Sequence, residues 1–235
     1  MSNLLIVESK NDKFFLQALI DRLNLNDIQL GQPICLDDEH YKCLGGLDST
    51  KMITALKEAK TDIESRDIDK VGVIIDQDLL SKEQRISELN DCLKKVYSEA
   101  EDIADTSQLY RLMTIEGRTI EFACYFINVD GQGELETLLK EIKSQDSTYA
   151  DCLEAWQECL QQRGKSVLNR KNFDKFWISN YIRFDTCSKK EEGNAGQKCS
   201  MSVTGFEYVM KYKPHIWNFE HEVLNELKDF LRLFG

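Results

Sequence analysis

Two short apolar runs constrain this chain more than any other feature. Leu4-Leu-Ile-Val7 and Val71-Gly-Val-Ile-Ile75 are continuous, where a strand with one wet face would alternate. Continuous runs of this length belong to strands covered on both faces, the usual state of a parallel sheet. Around them the periodicity is helical. Phe14, Phe15, Ala18, Leu19 and Leu23 share one face of a segment at 11–23, and Ile86, Leu89, Leu93 and Val96 do so at 82–98. Met52, Ile53, Leu56, Ala59 and Ile63 define a third helix, with Asp48 or Ser49 as its cap and Gly45-Gly46 as the turn before it.

The remaining signals complete an alternating pattern. Residues 33–36 read as a second short strand, and 110–116 with 119–129 as a hairpin about Gly117-Arg118 that feeds a long strand. Asp130-Gly-Gln-Gly133 breaks that strand, and a helix follows at 134–143. The expected fold is α/β: a Rossmann-like, mostly parallel open sheet flanked by helices over residues 1–146. Residues 147–235 are expected as a helical C-terminal extension packed on it, with helices at 149–162, 171–183 and 219–233. The Gly-, Ser-, Lys- and Glu-rich stretch at 186–202 is expected as a mobile loop.

Composition narrows the function. With 41 acidic against 30 basic residues the formal charge is −11, which argues against a purely electrostatic nucleic-acid binder. No apolar run approaches the ~20 residues of a spanning helix. The N-terminus lacks the basic region of a signal peptide. The eight cysteines show no C-x-x-C pair and the three histidines are dispersed, so reduced thiols in a cytoplasmic protein are expected rather than a zinc site.

The chemistry is expected at the strand ends. Glu8 follows the first apolar run, and Asp76 and Asp78 follow the other. In a parallel sheet these ends meet at one edge, where like charges repel unless protonated or bridged by a cation. Such an oxygen-rich site suits Mg²⁺ or Mn²⁺. Asp12, in the first turn of a helix, reads as favourable to the helix dipole or as support for Glu8; Glu136 reads as a helix N-terminal acid or a further metal ligand.

A basic tail lies far along the chain. Between Arg163 and Lys198 there are nine bases against four acids, interleaved with Phe173, Phe176, Trp177, Tyr181 and Phe184. The bases suit phosphates and the rings suit unpaired bases, but the helical spacing of the aromatics favours core packing.

The segment Leu4-Leu-Ile-Val-Glu8-Ser-Lys-Asn-Asp12 resembles the first motif of the Toprim domain, and Val71-Gly-Val-Ile-Ile-Asp76-Gln-Asp78 resembles its Asp-x-Asp motif. Gly45-Gly46 fits the glycine-bearing loop between them, and Asp130-Gly-Gln-Gly133-Glu-Leu-Glu136 resembles small stand-alone Toprim-like proteins related to overcoming-lysogenization-defect nucleases. Ser9 stands where the family usually has glycine, and Leu79-Leu80 replace the glycine after Asp78 of many topoisomerases and primases.

The resemblance implies Glu8, Asp76 and Asp78 as catalytic residues and, with Glu136, as metal ligands. Lys10, Gly46 and Lys175 are then the substrate-binding candidates, and Asp12 the supporting acid. It implies a Mg²⁺- or Mn²⁺-dependent nuclease acting on DNA or RNA, with a role in mobile-element or phage defence. A non-catalytic module binding nucleic acid or a partner ATPase, or a metal-dependent phosphatase or nucleotidyl-transfer enzyme, are the alternatives; a homodimer is compatible with each.

Overall fold

The computed structural model describes residues 3–35, 49–97, 99–113 and 117–235. In the first half, β1 (Asn3–Val7), α1 (Lys10–Leu23), β2 (Ile28–Leu30), α2 (Ser49–Ser65), β3 (Lys70–Asp76) and α3 (Lys82–Val96) alternate. β4 (Tyr110–Met113) and β5 (Thr119–Ile127) form the hairpin, and α4 (Leu135–Glu141) follows. The sheet runs in the order β2-β1-β3-β5-β4, parallel throughout except for β4 against β5. The α/β open sheet expected from the apolar runs is what the chain forms.

The pleat divides each strand between two cores. Leu5, Val7, Ile74, Ala123, Tyr125 and Ile127 face one cluster; Leu4, Ile6, Val73, Ile75, Cys124 and Phe126 face the other. This follows from the period-two alternation of side chains, and it explains why the runs carry no polar residue. α2 and α3 cover the second face through Met52, Leu56, Ile86 and Leu93. α1 covers the first face together with the C-terminal helices. At Gly72, a side chain would meet Leu5 Cδ2 at 2.4 Å and the Phe234 ring at 2.7 Å, so glycine lets the C-terminal aromatic lie on the sheet.

The C-terminal half contains α5 (Thr148–Gln162), α6 (Arg170–Asn180), α7 (Ala195–Lys198), α8 (Val203–Tyr212) and α9 (Asn225–Arg232). α6 passes into one π-helical turn at Tyr181–Asp185. Phe173, Trp177 and Tyr181 are buried, and the Tyr181 hydroxyl donates to Ile216 O at 2.9 Å while accepting from Gln145 N. These rings share one hydrophobic cluster with Leu5 and Val7 of the sheet.

Several local expectations are corrected. The second strand lies at Ile28–Leu30, not at 33–36: Pro33 has no amide to donate, although Ile34 and Cys35 still donate to Val7 O and Glu8 O at 2.9 Å. Residue 36, Gly45-Gly46 and Asp48 lie outside the described residues. The stretch at 186–202 forms a 3₁₀ turn at Glu192–Asn194 and then α7, and α8 follows where no helix was expected. Cys187 and Cys199 form a disulfide there, against the expectation of reduced thiols. Their separation of twelve residues matches no short motif, and only the fold of this loop brings them together. Cys92 and Cys124 are buried free thiols, and Cys152 and Cys159 exposed ones. Among the described residues no helix is long and apolar enough to cross a membrane.

Candidate functional site

The sheet order places β1 and β3 side by side while their following connections lead to opposite sides. In open α/β sheets that divergence marks the edge, beyond the carboxyl ends of the two strands, where ligands bind. In the register, Val7 pairs with Ile74, so Glu8 emerges beside the last residues of β3. Its Oε2 accepts the Asp76 amide at 3.2 Å, an acid of one strand bonding the backbone of the next. Asp76 Oδ1 in turn accepts Leu135 N at 3.1 Å, so the first amide of α4 meets the same group.

α1 begins at this edge. Ser9, in an ordinary extended conformation, caps it: Ser9 Oγ accepts Asp12 N at 3.2 Å and Asp12 Oδ2 accepts Ser9 N at 2.8 Å. The reciprocal pair satisfies two otherwise orphaned donors. It also buries the Asp12 carboxyl to 3% exposure beside Glu8.

Asp78 departs from the arrangement expected of Asp-x-Asp. Its backbone turns left-handed, φ +55°, and it exchanges hydrogen bonds with Gly133, Asp78 N to Gly133 O at 2.8 Å and the reverse at 3.0 Å. Alternation along a strand therefore no longer aligns it with Asp76. Asp78 Oδ2 pairs with Arg85 Nη2 and Oδ1 with Lys171 Nζ, both at 2.6 Å. Arg85 is buried, and its Nε donates to Gln77 O.

Lys171 and Lys175 lie one turn apart on α6, facing the start of α4. Glu134, almost fully buried, pairs with Lys171 at 3.0 Å and with Lys175 at 3.4 Å, and its oxygens accept no further hydrogen bond. Glu136 is 3.9 Å from Lys175. Asp174, between the lysines in sequence, accepts Thr137 Oγ1 at 2.9 Å and ties α6 to α4.

The acids thus fall into two groups. Asp78, Glu134 and Glu136 have basic partners. Glu8, Asp12 and Asp76 chiefly face burial and one another. Burial pushes the Glu8 carboxyl up, against the Asp76 amide; Asp78 adds repulsion while Arg85 and Lys171 offset it. Burial and then Glu8 raise Asp12 to about 7. Asp76 is raised well above its ordinary range by burial and then by Glu8, Asp12, Glu136 and Glu134. Glu134 is raised by burial and Glu136 despite the lysines. Against burial, Asp78 and Glu134 hold the Lys171 ammonium charged.

Of the residues singled out in sequence, Glu8, Asp12, Asp76, Asp78, Glu136 and Lys175 gather at this edge. Lys10 opens α1, half-buried. Gly46 lies outside the described residues. Arg85, Lys171 and Glu134 were not anticipated as site residues. Lys171 and Lys175 share a helix face by their four-residue spacing, which was legible, but the partner of that face was not. Of the tail aromatics, Phe176 and Phe184 are exposed while Phe173, Trp177 and Tyr181 are core.

The donor set fits a hard divalent cation in chemical type: Glu8, Asp12 and Asp76 offer carboxylate oxygen with like charges close together. The fit involves one or two carboxylates at a time. Among the described residues, the only three-ligand cluster within 4.8 Å is Cys187, Glu191 and Cys199, and its sulfurs are joined as a disulfide. Mg²⁺ characteristically binds through one or two carboxylates, leaving other positions to water and phosphate.

Comparison with known proteins gives a family and a fold. A family model described as protein of unknown function (DUF3226) matches residues 2–235. No curated protein matches significantly. The crystal structure of a hypothetical protein from Pyrococcus horikoshii OT3 superposes with a TM-score of 0.52 at 16% identity, covering 100% of both chains. At that identity the likeness concerns the fold.

Proposed function

Since the chain belongs to the DUF3226 family, we propose a function from its site: a Toprim-like, Mg²⁺- or Mn²⁺-dependent phosphodiester-processing protein, a nuclease acting on DNA or RNA. One observation carries the reading. The Glu8 carboxylate reaches across to the Asp76 amide at the diverging strand ends, with Asp12 buried behind it. Three acids whose charges oppose one another at a buried, low-dielectric sheet edge bind either protons or a cation.

Glu8 and Asp76 are the residues to hold the metal, with Asp12 supporting Glu8 through the cap of α1. The cation would supply charge stabilisation to a transferring phosphoryl group. Lys171 and Lys175 face the same edge and are suited to phosphate oxygens, which would compete with Asp78 and Glu134 for them. Glu8, with its carboxyl pushed up by burial, is suited to hold a proton more tightly than an ordinary carboxylate.

The double ion pair of Asp78 favours a second reading, a module that binds nucleic acid or a partner ATPase without cutting. Calorimetric titration of Mn²⁺ alongside cleavage of supercoiled plasmid and single-stranded RNA and DNA separates the two. Metal binding with cleavage, both lost in Asp76→Asn, supports the nuclease. Metal-independent nucleic-acid binding without cleavage supports the module. No metal binding to the unaltered protein overturns the leading reading.

A further inference from the structure

The disulfide between Cys187 and Cys199 lies in an asymmetric setting. Cys187 is half-buried, whereas Cys199 has no exposed surface. Beside the buried sulfur stands Lys213, itself only 5% exposed. Its Nζ donates to Thr186 O at 2.6 Å and to Glu191 Oε2 at 3.1 Å, and lies 3.9 Å from Cys199 Sγ. An ammonium has three N–H donors, and these three contacts take all of them. Glu191 is oriented by Ser188, whose amide and hydroxyl donate to its Oε2 at 2.8 and 2.7 Å. The other groups facing this charge are Tyr208, which contacts Glu191, and Lys198, lying over the Tyr208 ring. A lysine is rarely buried without a stable anion; Glu191 supplies one here, and the Cys199 sulfur occupies the remaining contact of the same ammonium. A thiolate at Cys199 would match it.

We propose that Cys187–Cys199 is a reversible thiol–disulfide site with a fixed direction: Cys187 is the sulfur attacked, and Cys199 departs as a thiolate held by Lys213. The reductant is a dithiol. Its thiolate attacks Cys187 Sγ, breaking the protein S–S bond and forming a mixed disulfide at Cys187, with the electron pair of the broken bond left on Cys199. The second thiol then attacks the reductant's own sulfur in the mixed disulfide and releases Cys187. The reductant ends as a disulfide, having given two electrons, one proton resides on Cys187, and the other passes to solvent. A lower leaving-group pKa speeds the first step, which is what an adjacent ammonium supplies. Exposure of Cys187 alone sets which sulfur is attacked.

The site also touches the sheet edge. Two residues beyond Cys199, Met201 O accepts Asn11 Nδ2 at 3.0 Å, in the first turn of α1 beside Asp12. The redox pair is therefore one hydrogen bond from the helix that carries the buried acid, although its chemistry does not depend on the nuclease reading.

The test uses the full chain with Cys152 and Cys159 replaced by serine, so that exposed thiols do not exchange. Brief treatment with reduced glutathione, acid quenching and peptide mapping should find the adduct on Cys187. An adduct on Cys199, or a pair reduced only after denaturation, overturns the proposal. Lys213→Met should slow reduction by dithiothreitol roughly three- to tenfold, and Lys213→Arg should restore most of the rate. An unchanged rate in folded Lys213→Met also overturns it. Should that variant fail to fold by circular dichroism, the glutathione mapping of the lysine-containing protein decides alone.

Discussion

Glu8 Oε2 accepts the main-chain amide of Asp76 at 3.2 Å across two parallel strands, so one acid is held against the backbone of another. The bond stabilises the ionised form of Glu8, yet burial outweighs it and the carboxyl is still pushed up. The site therefore stores electrostatic repulsion that protons or a cation relieve.

Stability of the metal-free protein should fall as pH rises. Asp12 ordinarily titrates near 3.8 and is raised to about 7 in the fold. Below the lower value both folded and unfolded chains are protonated; between the two values the folded chain holds the extra proton, so its advantage is lost as pH climbs. The loss through this window is on the order of a few kcal/mol, and Glu8 and Asp76 add to it in the same direction. Urea melts in EDTA from pH 4 to 8 should show the decline, and Mg²⁺ should flatten it. A stability that rises across that range would contradict the arrangement.

The two aspartates of Asp-x-Asp should separate on mutation. Asp76→Asn removes a destabilised charge and should raise the thermal midpoint of the metal-free protein at pH 7 while abolishing metal binding. Asp78→Ala leaves the buried Arg85 guanidinium with the exposed Glu88 as its remaining carboxylate and should cost about 2 kcal/mol. Differential scanning calorimetry on both variants distinguishes them; equal destabilisation would refute the division into unpaired and paired acids.

If the α6 lysines meet phosphates, their removal should change the salt dependence of binding more than its sequence preference. Lys171→Met and Lys175→Met should each lower the slope of log affinity against log salt by about 0.7 for a single-stranded oligonucleotide. Fluorescence anisotropy over a salt series measures it. Unchanged slopes in both variants would place the phosphate path elsewhere.

Gly133→Ala should damage both stability and metal binding. Gly133 has φ +112°, and a Cβ there would lie 2.9 Å from Thr137 Cβ. The strain is on the order of 1–3 kcal/mol. Because Gly133 is bonded to Asp78 and precedes the Leu135 amide on Asp76, relief of that strain should also weaken Mn²⁺ affinity in a titration. A variant with unaltered melting and affinity would show that this loop does not organise the site.

Much of the sheet edge was legible in the chain itself. Continuous apolar runs required strands covered on both faces, and the acids directly after them were bound to emerge at a common edge once those strands ran parallel. Helix periodicity likewise anticipated α1, α2 and α3, and it placed Trp177 and Tyr181 in the core. These follow from local periods of 2 and 3.6, which a sequence carries explicitly.

Tertiary structure decided what the acids do there. Glu8, Asp76 and Asp78 look alike in sequence, but a left-handed residue at Asp78 and a bridge to Gly133 turn one of them toward Arg85 and Lys171. Lys171 is separated from Asp78 by 93 positions, and no periodicity relates them. The pairing of Cys187 with Cys199 and the burial of Lys213 beside it arise the same way. Ionisation depends on which groups exclude water and which charges stand within a few ångströms, and both quantities exist only after distant segments have packed.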